Sequence, residues 1–314
     1  MFLSTVLLLD YLMQMTCKED PDRLYFSDNI NDIIKFYYCF NDTDELIKWS
    51  RSLPSAEINI IEKEGDSEIV FIIPTPDIKD KLTINLLESI KNFHTILVES
   101  KGKYFNYARS VNRGIKIALK YNPKWIIIPN NDIIIRDDIK KLYLKLIEID
   151  NKNVNSVIGA RGPHIFKLCK FNFLSNLLVI SKYKQKFKIL KKYNVKFYLY
   201  QYKKFFDLIC RPLICVKNIA FFGEFLIVSP YYILRNNGIL FDETYINGVE
   251  DYDLFLNILN TSSYKPIHFN IEHLHGRSLG NNDKRYLRNY INMIYLNYKI
   301  KNNIIKINKN KIIL

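Results

Sequence analysis

Glu68-Ile69-Val70-Phe71-Ile72-Ile73-Pro74-Thr75 decides the reading of this chain. A run of β-branched and aromatic residues stopped by proline is the pattern of a strand covered on both faces, because a strand with one wet face would alternate. Thr95-Ile96-Leu97-Val98 and Trp125-Ile126-Ile127-Ile128-Pro129 repeat it. Between these runs, Leu82 to Phe93 has helical spacing. Asn106 to Lys120 also reads as a helix, with Ala108, Val111, Ile115, Ala118 and Leu119 on one face. Strand, helix, strand, helix, strand predicts βαβ units: an α/β fold with a Rossmann-like, mostly parallel central sheet flanked by helices.

In such sheets a ligand lies beyond the carboxyl ends of the strands. The polar residues expected there are Thr75 and Asp77, then Glu99, Ser100 and Lys101, then Asn130, Asn131 and Asp132. No glycine-rich phosphate loop follows the first strand, so a dinucleotide dehydrogenase and a P-loop NTPase lose their main support. Asp132 emerges from a buried strand into an apolar continuation, Ile133 to Ile135. A divalent cation is one solution for an acid so placed, and capping the next helix is another.

A second acidic block lies downstream. Gly223-Glu224-Phe225-Leu226-Ile227-Val228 leads to a turn at Asn236-Asn237-Gly238. Phe241-Asp242-Glu243 and Gly248-Val249-Glu250-Asp251-Tyr252-Asp253-Leu254 follow. On a helix, Glu250 and Asp253 share a face while Asp251 points elsewhere. One carboxylate can then be held by structure while another is free to act as a base. An acidic first helical turn favoured by the dipole is the plainer account of the same residues.

The 314 residues carry a net charge of +14. Two modules hold the excess: residues 165–211, with twelve Lys or Arg against Asp207 alone, and residues 284–314, with eight and no acid. The first is interleaved with aromatics such as Tyr183, Phe187, Tyr193, Phe197 and Tyr198. That mixture suits phosphates and bases, or equally an anionic membrane surface. It also suits a chain in which Lys and Tyr are simply abundant. Lys182 to Tyr193 reads as a basic amphipathic helix. No stretch reaches the roughly 18 apolar residues of a membrane helix. Phe2 to Leu9 has no preceding basic residue, so it reads as a buried element and the protein as cytoplasmic rather than secreted. The five cysteines form no C-x-x-C pair and are expected to be reduced. His94, His164 and His268 read as structural.

The order of the blocks strongly resembles glycosyltransferase family 2, the inverting enzymes of the GT-A fold, over roughly residues 67–280. Val70 to Thr75 is similar to the family's opening strand. Ile96-Leu97-Val98-Glu99-Ser100 is similar to its second, with Glu99 where Asp is usual. Ala108-Arg109-Ser110-Val111-Asn112-Arg113-Gly114 looks like the nucleotide-side helix, and Asn130-Asn131-Asp132 like the metal motif with Asn130 replacing its first Asp. The stretch from Gly223 to Leu254 is the most specific match, and His273-Leu274-His275-Gly276-Arg277-Ser278 resembles the late His-x-Gly-x-Ser element.

The resemblance implies a nucleotide-diphosphate sugar near Thr75, Asp77, Glu99, Arg109, Asn112, Asn130 and Asn131. It implies Mg²⁺ or Mn²⁺ on Asp132 helped by His275, and Asp251 as general base with Glu250 and Asp253 behind it. The acceptor would be a glycan or lipid-linked hydroxyl. Residues 1–66 would be an N-terminal extension, 165–211 an insert for the acceptor or an anionic membrane surface, and 281–314 a basic helix and tail. Rival readings are a nucleotidyltransferase on a similar sheet and a nucleic-acid-binding protein on an inactive scaffold. A nucleic-acid partner is not what the catalytic blocks lead one to expect.

Overall fold

The computed structural model describes residues 19–159, 164–171, 184–201, 213–221, 223–261, 263–267, 269–274 and 283–305. The apolar run at Phe2 to Leu9, His268, His275 and the tail beyond 305 lie outside the described residues, as does part of the basic insert.

The strands are β1 Asn59–Lys63, β2 Asp66–Thr75, β3 Phe93–Glu99, β4 Trp125–Pro129, β5 Ile133–Ile135 and β6 Val154–Gly159. They continue with β7 His164–Phe171, β8 Phe197–Gln201, β9 Leu213–Phe221, β10 Phe225–Val228, β11 Ser263–Ile267 and β12 Ile271–His273. The main sheet has the order β1-β3-β2-β4-β10-β6-β11. The three strands read from the sequence are its parallel heart, with β2 between β3 and β4. β10 is inserted antiparallel to both β4 and β6, and β1 runs antiparallel at the edge. Five of the seven strands therefore point the same way. β7 and β8, from the basic insert, and β9, just after it, form a separate antiparallel sheet.

The helices are α1 Pro21–Tyr25, α2 Ile30–Phe36, α3 Thr43–Ser52, α4 Lys81–Ser89, α5 Tyr107–Ala118 and α6 Ile139–Ile147. They continue with α7 Lys184–Lys192, α8 Pro230–Arg235, α9 Glu250–Thr261, α10 Asp283–Arg288 and α11 Tyr290–Lys301. No helix among the described residues is long and apolar enough to cross a membrane.

Helices cover both faces of the sheet, which is why its strands are apolar throughout. Val70, Ile72, Ile96, Val98, Ile126 and Ile128 face Ala108, Val111, Ile115 and Ala118 of α5. The alternate residues Ile69, Phe71, Ile73, Leu97 and Ile127 face Leu86 of α4 and Leu142 and Leu146 of α6. Each such aliphatic side chain contributes about 1.5–3 kcal/mol when fully buried. Gly114 lets α5 close on β2, because a Cβ there would stand 2.4 Å from Ile72 Cγ2.

A third core joins distant segments. Leu24, Tyr25, Ile33, Phe36 and Trp49 from α1–α3 pack with Ile189 and Leu190 of α7 and with Leu287, Ile291 and Ile294 of α10 and α11. Three expectations change here. The boundary at residue 66 is not a structural one, since β1 belongs to the main sheet. The apolar face of the basic helix is covered by the chain itself, and Lys192 Nζ donates to the Tyr37 and Phe40 carbonyls at 2.9 and 2.7 Å. Cys39 is disulfide-bonded, which corrects the expectation of five reduced thiols.

Candidate active site

β2, β3 and β4 end side by side, and their carboxyl edge is closed by two later pieces. The β5–β12 ribbon pairs His273 with Ile133, and the Leu274 amide donates to the Asp132 carbonyl at 3.1 Å. This register sets His273 Nε2 3.0 Å from Asp132 Oδ1, with the carboxylate buried. The other piece is the start of α9, with Glu250, Asp251 and Asp253 in its first turn.

Tyr107, the first residue of α5, links the two acidic blocks. Its hydroxyl donates to Asn130 Oδ1 at 3.3 Å and its amide to Asn247 Oδ1 at 2.9 Å. Burial holds its phenol well above the usual range, and the charges of Glu250, Asp251 and Asp132 add to the rise. The Asn130 amide donates to the Glu224 carbonyl at 2.9 Å, which brings the turn before β10 to the same place.

The three acids of α9 have different surroundings. Glu250 is buried, and its Oε2 has no hydrogen-bond partner among the described residues. Burial pushes its carboxyl up to about 7, against the pull of the Glu250 and Gly248 amides and of Arg285. Asp251 is half-buried. Burial raises it well above the carboxylate range, and the Glu250 and Glu224 charges add to the rise while the Tyr252 amide opposes it. Carboxyls raised in this way bind their protons more tightly than free ones, and the two titrate as a coupled pair.

Asp253 is tied into structure: it pairs with Lys299 and accepts from Asn257 Nδ2 at 2.8 Å. Lys299 Nζ also reaches Asp242 Oδ2 at 3.0 Å, and the Tyr295 hydroxyl donates to that oxygen at 2.7 Å. Of the three, only Asp251 combines a raised carboxyl with partial access.

Several residues expected on the donor side are engaged by their neighbours. Thr75 Oγ1 donates to the Asp77 carbonyl at 2.9 Å, and Asp77 Oδ1 accepts from the Lys79 amide at 2.8 Å. Glu99 accepts from the Ile78 amide and Asn59 Nδ2, both at 3.3 Å. Arg109 reaches Ser55 Oγ at 2.6 Å and Glu243 Oε2 at 3.3 Å. Asn131 is buried, with Nδ2 3.5 Å from Thr83 Oγ1. Asn112 is fully committed to the 240–243 segment, donating to the Phe241 carbonyl and Glu243 and accepting from the Leu240 and Phe241 amides. It holds the loop rather than facing outward. Asp77 is exposed and Asn130 partly so.

Sequence reasoning passed over Tyr107, Arg285 and the contact of His273 with Asp132, and His275, expected to help hold the metal, lies outside the described residues. The signal for Tyr107 was its place directly after Asn106, whose Oδ1 caps the helix by accepting from the Arg109 amide at 2.9 Å. Among the described residues, no group of three His, Cys, Asp or Glu side chains converges as a metal-holding cluster. No protein-family model matches the chain, nor does any curated protein sequence.

Proposed function

We propose that this chain is an inverting glycosyltransferase of the GT-A type, moving a sugar from a nucleotide-diphosphate sugar to an acceptor hydroxyl. The observation that carries the reading is the meeting of Asp132 and Asp251 around Tyr107 at the carboxyl edge of the sheet.

The Asp132 carboxylate and the His273 imidazole suit Mg²⁺ or Mn²⁺ that takes its remaining ligands from phosphates and water. When bound, such an ion neutralises charge developing on the departing diphosphate. Asp251 accepts the acceptor's hydroxyl proton while the hydroxyl oxygen bonds to the anomeric carbon and the bond to the diphosphate oxygen breaks. Proton transfer of this kind contributes about 10² to 10⁴ in rate. Attack from the face opposite the leaving group inverts the centre. Tyr107 holds Asn130 in place, and Glu250 keeps Asp251 basic.

A thermal-shift panel of UDP, GDP, dTDP and CMP nucleotides and their sugars, with Mn²⁺ or EDTA, tests this on wild type and Asp132→Ala. Ligand at a hundredfold excess over its dissociation constant stabilises by about 2.7 kcal/mol. A metal-dependent shift with one nucleotide, lost in Asp132→Ala, is expected. No shift with any nucleotide overturns the reading.

A further inference from the structure

The C-terminal stretch is basic, yet Asn292 and Lys299 in it are buried. Asn289, Asn292, Tyr295 and Lys299, three or four residues apart, face the segment 242–253 that carries the acidic pair. Asn292 Oδ1 accepts from the Ile246 amide at 2.8 Å, and its Nδ2 donates to the Ile246 carbonyl at 2.8 Å and to Asn289 Oδ1 at 2.7 Å. Asn289 Oδ1 is thereby fixed where a Cβ on Gly248 would stand 2.5 Å away. On the other side, Asn247 Nδ2 donates to the Phe105 carbonyl at 2.8 Å and its Oδ1 accepts from the Tyr107 amide.

Between these holds the backbone is left-handed at Asn247, φ 52°, and at Val249, φ 75°. Asparagine tolerates this region, whereas a β-branched residue there is an outlier that its surroundings must impose. Val249 is buried, and its carbonyl accepts from the Asp253 amide at 3.0 Å, closing the first turn of α9. Glu250 and Asp251 follow directly.

We infer that α11 positions the reacting carboxylate: the Asn289–Asn292 clamp on Ile246–Gly248 holds Val249 in its left-handed conformation and so fixes the direction from which Asp251 enters the site. Asn289, Asn292 and Val249 are positioning residues that act through Asp251. The inference rests on the reading of Asp251 as base. A Val249 released to an extended or right-handed φ would redirect the first turn of α9. Small misplacements of a catalytic group cost up to about a hundredfold in rate.

Asn292→Ala tests this by transfer kinetics and nucleotide-sugar titration. The expected result is a fall of about ten- to a hundredfold in kcat, with the donor's dissociation constant unchanged. Val249→Gly in the same background should recover several-fold of that loss, because glycine adopts the left-handed conformation without the clamp. Unchanged kcat in Asn292→Ala, a parallel loss of donor binding, or no rescue by glycine overturns the inference. If Asn292→Ala does not fold, Gly248→Ala, which drives Asn289 from its place, and its relief by Val249→Gly replace the pair of variants. If the wild type transfers no sugar, the functional reading fails on its own, and the clamp is read by amide hydrogen exchange. Faster exchange over 246–254 in Asn292→Ala supports it, and exchange equal to wild type overturns it.

Discussion

His273 Nε2 lies 3.0 Å from Asp132 Oδ1, joined by the pairing of β12 with β5. An imidazole against a buried carboxylate serves a bound cation either as a ligand or as the group orienting the ligand. In both cases Asp132→Ala abolishes metal-dependent nucleotide stabilisation. His273→Ala should weaken apparent Mn²⁺ affinity by about ten- to a hundredfold, the usual effect of losing an orienting partner. Calorimetric titration of Mn²⁺ in the presence of nucleotide measures it. Wild-type Mn²⁺ affinity in His273→Ala would remove this histidine from the site.

The Glu250–Asp251 pair makes stability depend on pH with a defined sign. Both carboxyls are raised by burial, Glu250 from 4.5 to about 7. A raised carboxyl binds its proton more tightly in the folded chain. Its contribution is fully present below the unfolded value and is lost as pH climbs through the folded one. For Glu250 the loss between pH 4.5 and about 7 is on the order of 3 kcal/mol. Glu250→Gln cannot ionise, so its melting temperature should gain on wild type from pH 5 to pH 8. A difference independent of pH would contradict the burial argument. Transfer by the wild type should rise with pH as the raised carboxyls give up their protons.

Lys299 is 7% exposed and stands between Asp242 and Asp253. Burial pushes Asp253 up, and Lys299 restrains the rise. Burial also acts to raise Asp242, but Lys299, the Thr244 amide and Tyr295 outweigh it and hold that carboxyl below its usual value. Lys299→Met leaves two carboxylates without their cation, and removing one partner of a buried pair costs about 3–5 kcal/mol. Adding Asp253→Asn should return part of it. Urea denaturation of the single and double variants decides, and purely additive losses would mean the two residues do not interact.

The heart of the sheet was legible because burial on both faces writes itself into consecutive residues. Val70 and Phe71 face opposite layers, and both are fully covered. α5 was legible from Val111, Ile115 and Ala118 on one stripe. Local pattern could not reveal β10 running antiparallel between β4 and β6, since Phe225 to Val228 reads the same in either direction. The β5–β12 ribbon brings Ile133 against His273 across more than a hundred residues, so the contact of His273 with Asp132 lay in a register no local spacing encodes. Lys299 sits in a basic stretch that holds no acid, and the two distant acids facing it explain its burial. Tyr107 owes its place to the start of a helix rather than to a motif.

Asn112 provides the sharpest separation of a donor contact from a structural one. Its side chain is 7% exposed and makes four hydrogen bonds to the 240–243 segment. Asn112→Ala strands the Leu240 and Phe241 amides and the Phe241 carbonyl, and an unsatisfied buried group costs about 1–3 kcal/mol. Water entering the gap recovers some of that, so a net loss on the order of 3 kcal/mol is expected from urea denaturation. Asn112→Asp keeps the accepting oxygen, loses both donors and sets a second carboxylate beside Glu243, so it should lose stability as well and lose more at pH 8 than at pH 4. Nucleotide affinity should be unaffected in whatever fraction folds, because no donor or acceptor of this amide is left over for a ligand. Weakened nucleotide binding at wild-type stability would reverse the assignment and return Asn112 to the donor pocket.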